Sequence, residues 1–157
     1  MNWNRLDSRA RLLFYLQALS RLVFFWLPVA AGAGIGASMG FGLMAGFVVG
    51  SGVALLALIS SVWMPSLSFD RWAWALRDGD LLIASGVIVR NISAIPLQRI
   101  QHVDLRQGPV EQWFGLSKLL IFTASGSGAD GYIPGLSLDV AGKLRDTLLA
   151  GSGDDAV

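Results

Sequence analysis

The chain has 157 residues, of which 54% are hydrophobic and 15% charged, and its formal net charge is +1. A soluble domain typically contains about 45–50% apolar and about 25% charged residues, so this composition excludes an ordinary soluble protein. The chain contains no cysteine, which excludes thiolate metal sites and cysteine nucleophiles.

The N-terminal segment, residues 1–21, carries four arginines and one aspartate. Its apolar residues recur at helical spacing, which predicts a cytoplasmic amphipathic basic segment with one face at the lipid interface. That face consists of Trp3, Leu6, Ala10 and Leu13. A simpler interpretation is that the charge only sets the membrane topology. The residues expected to anchor the chain at the membrane interface are Trp3, Arg9, Arg11, Arg21 and Trp63.

A run of 48 residues without a charged side chain follows, from position 22 to position 69. One helix needs about 20 residues to cross the hydrocarbon layer, so the run predicts two transmembrane helices joined by a tight turn. We place these helices at about 22–38 and 43–63, in a hairpin covering 22–64. Pro65 fits the end of the second helix.

The charges that flank the hairpin predict its orientation. Arginines precede the first span, and Arg71 and Arg77 follow the second, so the positive-inside rule places both termini in the cytoplasm. The domain expected at 65–150 is therefore cytoplasmic. A cleavable signal peptide is the alternative, because Ala31-Gly32-Ala33 resembles a cleavage site, but the apolar run continues beyond it.

Small residues recur at every fourth position in both predicted spans. Such stripes let helix backbones approach closely, either within one chain or between chains, and the sequence does not choose between these. The glycines expected to pack helices together are Gly32, Gly36, Gly42, Gly46 and Gly50.

The rest of the chain shows short β-like runs between turn residues, followed by one amphipathic helix. The predicted elements are a hairpin turn at 77–80, strands at 81–84 and 87–92, an extended segment at 95–105, turns at 107–109 and 113–115, a strand at 119–124, a glycine-rich loop at 125–131, a short strand at 132–133, a turn at 134–135, a helix at 138–149 and a disordered tail at 151–157. Val140, Leu144 and Leu148 form the predicted buried stripe of that helix.

These elements predict an α+β fold, in which a two-helix transmembrane hairpin precedes a small β-sandwich or open barrel with one C-terminal α-helix. Domains with the pleckstrin-homology (PH) plan have this architecture. Pro96 fits an edge strand or the start of a strand, and the broken alternation at 97–101 predicts a bulge or a single helical turn. Gly108 and Gly115 are expected to adopt positive φ at turns.

Groups capable of acid–base chemistry are few. His102 is the only histidine, and it shares a predicted strand face with Asp104, so the two are a possible acid–base pair. No nucleophile or second ligand lies near them in sequence, and Asp78 and Asp80 fit turn chemistry better than metal binding. We therefore predict no catalytic, cofactor-binding or metal site and expect a protein that is not an enzyme.

The charge of the C-terminal part bears on its partners. Residues 70–157 hold eight basic and ten acidic side chains, a net charge of −2, which argues against a nucleic-acid partner. The expected partners are the lipid bilayer and other proteins. The candidate residues for contact with a partner or lipid are Arg90, Arg99, Gln101, Arg106 and Trp113.

Several short motifs resemble a known family. They are Arg77-Asp78-Gly79-Asp80, Gly86-Val87, the segment IPLQRIQHV at 95–103, Gln107-Gly108-Pro109, Phe114-Gly115-Leu116 and Thr123-Ala124-Ser125. With the preceding hairpin, they make nearly the whole chain similar to the YdbS-like bacterial PH-domain membrane family. The resemblance implies an anchor in the bacterial inner membrane and a cytoplasmic PH-like domain, often encoded beside a larger relative with several such domains. It implies no reaction.

Three functions from different classes remain open. The first is a non-catalytic, membrane-anchored interaction or scaffold module that assembles with itself or with a related multi-domain membrane protein. The second is an oligomeric channel or transporter component, although the charge-free run offers no ionisable group for a conduction path. The third is an enzyme acting on lipid at the membrane interface, which would rest on His102, Asp104 and Glu111.

Overall fold

The computed structural model describes residues 3–124 and 128–152. It divides into two compact units, one formed by Met1–Leu13 with Ser68–Val157 and the other by Phe14–Leu67. The former is a β-rich unit and the latter is helical.

Two long apolar helices account for the helical unit and continue beyond it. Helix α1 (Ala10–Arg21) passes through a π-helical turn (Leu22–Trp26) into helix α2 (Leu27–Phe41), and helix α3 covers Leu43–Arg71. The continuous helix Ala10–Phe41 has 32 residues and α3 has 29, and both are long and apolar enough to cross a membrane.

The turn between the two helices is at Gly42. Gly42 has a φ of +90°, a backbone conformation that glycine adopts without steric cost. The helix therefore runs to Phe41, beyond the predicted end near position 38, because small apolar residues at 32–40 do not by themselves interrupt a helix.

The prediction that Pro65 ends the second helix is wrong. Helix α3 continues through a buried Pro65 to Arg71. Proline at position 65 removes the helical donor to the carbonyl of Ser61, a loss that membrane helices tolerate. Separately, the Ser66 hydroxyl donates to the carbonyl of Trp63 at 3.0 Å.

The β-rich unit contains two open antiparallel sheets, as the predicted α+β fold requires. The first has the order β1-β2-β3-β4 and the second the order β5-β6-β7. The strands are β1 (Asn4–Arg5), β2 (Ala73–Leu76), β3 (Asp80–Ser85), β4 (Asn91–Pro96), β5 (Ile100–Arg106), β6 (Leu116–Thr123) and β7 (Gly131–Ser137). Two helices complete the unit, α4 (Pro109–Trp113) between β5 and β6 and α5 (Leu138–Ser152) after β7.

The first hairpin confirms the predicted turn at 77–80, since the Arg77 N–H donates to the Asp80 carbonyl at 2.9 Å. The strand predicted at 87–92 is wrong over its first four residues, because strand β4 begins only at Asn91. Gly86 has a φ of +100°, and its Cα lies so near the Val89 carbonyl that a Cβ would overlap it. This tight turn uses the residues whose alternation predicted a strand.

The segment after β4 contains both features that its broken alternation predicted. A 3₁₀ turn occupies Leu97–Arg99, and the β5–β6 register shifts between Ile100 and His102. Pro96 ends the edge strand β4, where its missing N–H is tolerated.

Of the two glycines predicted to have a positive φ, one has it and the other does not. Gly115 has a φ of +63°, as predicted. Gly108 has a φ of −78° and precedes α4, so the prediction for it is wrong. A Cβ at Gly108 would meet only the end of the flexible Glu111 side chain, which can move aside.

Strand β7 passes straight through the turn that the sequence predicted at 134–135. Its register with β6 moves from Ser117↔Leu136 to Leu119↔Ile133, so two residues of β7 oppose one residue of β6. This is a β-bulge, with Gly135 at a φ of +65°. Pro-Gly fits a bulge in an edge strand as well as a turn, because both tolerate proline's missing N–H and use glycine's positive φ.

Large aliphatic side chains from both sheets and from helix α5 form the core. The fully buried ones are Leu81, Leu116, Leu119, Ile121, Ile133, Leu136 and Leu148. Helix α5 buries Ala141 with Leu144 and Leu148, whereas Val140 is 42% exposed, so the predicted stripe is wrong by one residue. Residues 151 and 152 of the predicted tail are helical, and 153–157 lie outside the described residues, as do 125–127 of the predicted loop.

The N-terminal segment packs on the β-rich unit. Leu6, Ala10 and Leu13 are 7%, 0% and 2% exposed, and the Asp7 N–H donates to the Gly135 carbonyl at 3.1 Å. The prediction that these apolar residues face lipid is therefore wrong, because protein buries all three, and the strand β7 bulge at Gly135 packs against Leu6 and Ala10. An apolar stripe alone does not tell whether lipid or protein covers it.

Asp130 closes the loop between β6 and β7. Its carboxylate accepts hydrogen bonds from the Thr123 backbone N–H at 2.8 Å and the Thr123 hydroxyl at 2.7 Å. These two bonds, first the hydroxyl and then the backbone one, lower the pKa of Asp130 below its ordinary value of 3.8.

A pH-dependent contribution to stability follows from this lowered pKa. Because the folded-state pKa lies below the unfolded one, the contribution is complete above pH 3.8 and is lost as the pH falls towards the folded-state pKa. We expect Asp130→Asn to lower the melting temperature of the full-length protein in detergent by a few degrees at pH 7 and by less near pH 3. Asp78→Asn at an exposed turn is the control, and an equal effect of the two variants at every pH would contradict this account.

Candidate functional site

A cavity of about 320 Å³ in the β-rich unit gathers basic and aromatic side chains. Arg5 lies in strand β1 and Trp3 directly precedes that strand, while Arg71 ends α3 and Trp72 connects α3 to β2. These segments meet because β1 pairs with β2, with Arg5 opposite Ala73. Arg90, at the end of the β3–β4 loop, completes the cationic lining.

The cavity carries net positive charge. Its one acidic residue, Asp70, is paired with Arg11 at 3.1 Å, and the Arg11 guanidinium also lies 5.0 Å from the centre of the Phe69 ring. In the part of the chain that the structure describes, the ion pairs include neither Arg5, Arg71 nor Arg90. All three side chains are exposed, so their guanidinium groups can donate hydrogen bonds to an anion.

Aromatic contacts hold one wall of this cavity. The ring of Trp72 lies 5.1 Å from that of Tyr132, inclined at 54°, and the Lys118 ammonium lies 5.7 Å from the centre of the Tyr132 ring. Tyr132 belongs to β7 and Lys118 to β6. The second sheet therefore supports the indole that forms the wall.

The residues predicted to contact a partner or lipid do not form one site. Only Arg90 lines the cavity. Arg99 lies in the 3₁₀ turn, Gln101 is exposed on β5, and Arg106 ends β5, where it pairs with Asp104 at 3.7 Å. Trp113 ends helix α4 and is 90% exposed.

The possible acid–base pair is not formed. His102 stacks on Phe122 with 4.2 Å between ring centres and 9° between planes, while Asp104 pairs with Arg106. Within residues 3–124 and 128–152, no group of three or more histidine, aspartate or glutamate side chains is placed to hold a metal ion.

The residues predicted as membrane anchors have different surroundings. Arg11 pairs with Asp70 within the β-rich unit, and Arg9 is exposed. In the helical unit, Trp63 is 69% exposed, and Arg21 lines a cavity of about 220 Å³ with Trp26 and Met64. Their anchoring role stays a prediction.

The glycines predicted to pack the helices together differ in their surroundings within the helical unit. Gly46 and Gly50 of α3 pack against Gly34 of α2, since a Cβ at Gly50 would lie 3.4 Å from the Gly34 Cα. Gly42 forms the turn, and Cβ atoms at Gly32 and Gly36 would meet nothing within 4 Å. A role of Gly32 and Gly36 between chains stays a prediction.

Sequence reasoning missed Arg5, Arg71 and Trp72 as members of one site. Arg71 and Trp72 lie just after the charge-free run, separated from it by Asp70, and this position was the available signal. The signal did not extend to Arg5, because a pairing of two-residue strand β1 with a strand almost 70 positions later leaves no local pattern.

Comparison with known proteins identifies the family. Residues 22–152 match the family described as bacterial PH domain. The chain is 30% identical over 112 residues to UPF0699 transmembrane protein YdbS of Bacillus subtilis (strain 168), covering 70% of this chain and 69% of that protein. It is 28% identical over 91 residues to UPF0699 transmembrane protein YdbT of the same organism, covering 55% of this chain and 18% of YdbT. No solved structure is significantly similar to the chain.

The match covers most of the chain, including helices α2 and α3 and every strand after β1. The similarity to YdbS confirms the resemblance that the sequence motifs indicated. This chain therefore belongs to the YdbS-like bacterial PH-domain family of membrane proteins.

Proposed function

We propose that this protein is a non-catalytic interaction module, anchored in the bacterial inner membrane with its PH-like domain in the cytoplasm. It assembles with a second copy or with a related multi-domain membrane protein. Its family membership and its two apolar helices support the membrane anchor. The PH-like domain supplies the interaction surface.

One surface feature supports the interaction role above all. Trp113 is 90% exposed and Val110, one turn earlier on α4, is 38% exposed. An indole in water is unfavourable, and tryptophan is enriched among the residues that dominate binding energy at protein interfaces. Helix α4 therefore offers a partner a compact apolar contact.

The similarity to YdbT supports the kind of partner. This chain matches 18% of YdbT, so a longer relative contains a segment of the same type beside other sequence. Two related domains can meet through similar surfaces, as the subunits of many homo-oligomers do.

Site-specific crosslinking tests the proposed interaction. A photoreactive amino acid replaces Trp113 in the full-length protein in native membranes, and the products are identified by mass spectrometry. The same probe at Leu138, which is 47% exposed at the start of α5, is the matched control. We expect position 113 to give crosslinks to a second copy or to a PH-like relative, and position 138 to give few.

The variant Trp113→Ala measures how much the tryptophan contributes to binding of the partner. Loss of an interface tryptophan of this kind weakens binding by about 2 kcal/mol or more, roughly 30-fold, so co-purification of the partner should fall by that order. Leu138→Ala should leave it unchanged. Equal crosslinking at both positions, or full co-purification by Trp113→Ala, would reject the proposed surface.

A further inference from the structure

We propose that the cavity lined by Trp3, Arg5, Arg71, Trp72 and Arg90 binds the phosphate group of an anionic membrane lipid. This goes beyond the interaction role, because neither Val110 nor Trp113 lines the cavity. The two sites therefore lie on different elements of the same domain.

The charge of the lining indicates an anion. Arg5, Arg71 and Arg90 have no ion-pair partner in the described ranges, and Asp70 is neutralised by Arg11. Like charges that share one cavity repel each other, and a bound anion removes this repulsion. Guanidinium groups match phosphate oxygens in geometry and donate two parallel hydrogen bonds.

The position of Arg71 indicates a lipid as the source of that anion. Arg71 is the last residue of α3, and the charge-free run ends at Phe69, two residues earlier. In a helix that crosses a bilayer, the first cationic residue after the apolar run lies at the level of the headgroups. Trp3 and Trp72 in the same cavity have the amphipathic rings that are enriched at this level.

The β3–β4 loop supplies an independent argument for a lipid. Arg90 follows Ile88 and Val89, whose exposed fractions are 87% and 68%. Two adjacent apolar side chains at a loop tip have no use in binding a soluble phosphate, but they gain free energy by entering the acyl boundary beside a bound headgroup. The loop therefore places apolar tip residues directly before a phosphate-binding arginine.

The test titrates the detergent-solubilised full-length protein and follows its melting temperature. The three probes are a soluble short-chain phosphatidylglycerol, the phosphatidylcholine with the same chains, and inorganic phosphate. We expect phosphatidylglycerol to stabilise the protein at far lower concentration than either of the others. Equal stabilisation by inorganic phosphate would show a soluble-phosphate site and overturn the lipid assignment.

Variants assign the effect to the cavity. Each arginine beside an anionic headgroup contributes roughly fivefold in affinity, so Arg5→Gln, Arg71→Gln and Arg90→Gln combined should abolish the phosphatidylglycerol effect. The matched control combines Arg77→Gln, Lys143→Gln and Arg145→Gln, which lie outside the cavity. If both triple variants lost the stabilisation by phosphatidylglycerol equally, the effect would come from the overall charge of the protein, and the proposed site would be rejected.

Two further variants keep the test decisive if the triple variant does not fold. Arg90→Gln alone alters only an exposed loop residue and should weaken phosphatidylglycerol binding roughly fivefold. Ile88→Gln combined with Val89→Gln should weaken binding to vesicles that contain phosphatidylglycerol and leave the arginine contacts in place. Unchanged lipid binding in both would overturn the proposal.

Discussion

Gly46→Leu is expected to separate helices α2 and α3 and to destabilise the helical unit by about 3 kcal/mol or more. A Cβ at position 46 would lie 2.6 Å from the Gly34 carbonyl oxygen and 2.6 Å from the Ser38 Cβ. The carbonyl is backbone within a helix, so it cannot move aside as the end of a side chain would. Close approach of the two backbones is the contact that small residues permit between apolar helices.

Gly36→Leu is the matched control, because a Cβ there would meet nothing within 4 Å. Both variants add the same apolar side chain to an apolar helix and differ only in the space available. The measurement is the melting temperature and elution profile of the full-length protein in detergent. Equal destabilisation by the two variants would show that the contact around Gly46 does not hold the helices together.

The control also tests the predicted association between chains. If Gly36 packs against a second copy, Gly36→Leu should reduce the oligomer while the melting temperature of the monomer stays unchanged. A decrease in monomer stability would instead assign Gly36 a role within the chain.

The long apolar run made the helices predictable, whereas the contact between α2 and α3 could be predicted on α3 but not on α2. The membrane leaves a charge-free segment of this length few structures other than helices. On α3, the period-four stripe correctly marks Gly46 and Gly50. On α2, however, two stripes of small residues share that period, and the one through Gly34 faces α3 while the one through Gly32 and Gly36 does not. Periodicity gives the spacing of a stripe and not its direction.

The basic cavity was not predictable, because long-range pairing creates it. Arg5 reaches Arg71 only through the pairing of β1 with β2, and Arg90 reaches them through the β3–β4 loop. Neither step leaves a local pattern in the sequence. Of the three arginines in the cavity, only Arg90 was predicted to contact a partner or lipid, and that prediction came from its charge and not from its neighbours.

The second large loss of stability is expected where the N-terminal segment packs on the β-rich unit. Gly135→Ala is expected to destabilise the protein by about 3 kcal/mol, from two causes. Gly135 has a φ of +65°, which is strained for alanine, and its Cβ would overlap that of Ala10. Ala10 is 0% exposed and begins helix α1, so the overlap pushes the segment off the bulge in β7.

A second glycine separates these two causes. Gly115 has nearly the same φ, +63°, and a Cβ there would meet nothing within 4 Å. Gly115→Ala therefore reports the backbone strain alone, and we expect it to cost about 1 kcal/mol. The difference between the two variants measures the contact with Ala10, and melting temperatures of the full-length protein in one detergent give both values.

A double-mutant cycle then identifies the neighbour. Ala10→Gly removes the methyl group that the new Cβ would meet, so it should restore about 1–2 kcal/mol to Gly135→Ala, whereas alone it destabilises the start of α1 slightly. In the background of Gly115→Ala the same change should give no such recovery. Additive effects of Ala10→Gly and Gly135→Ala would mean that the N-terminal segment does not press on the bulge, and the burial of Leu6 and Leu13 would then need another cause. A coupled result would establish that the N-terminal segment, up to the start of α1 at Ala10, packs as part of the β-rich unit.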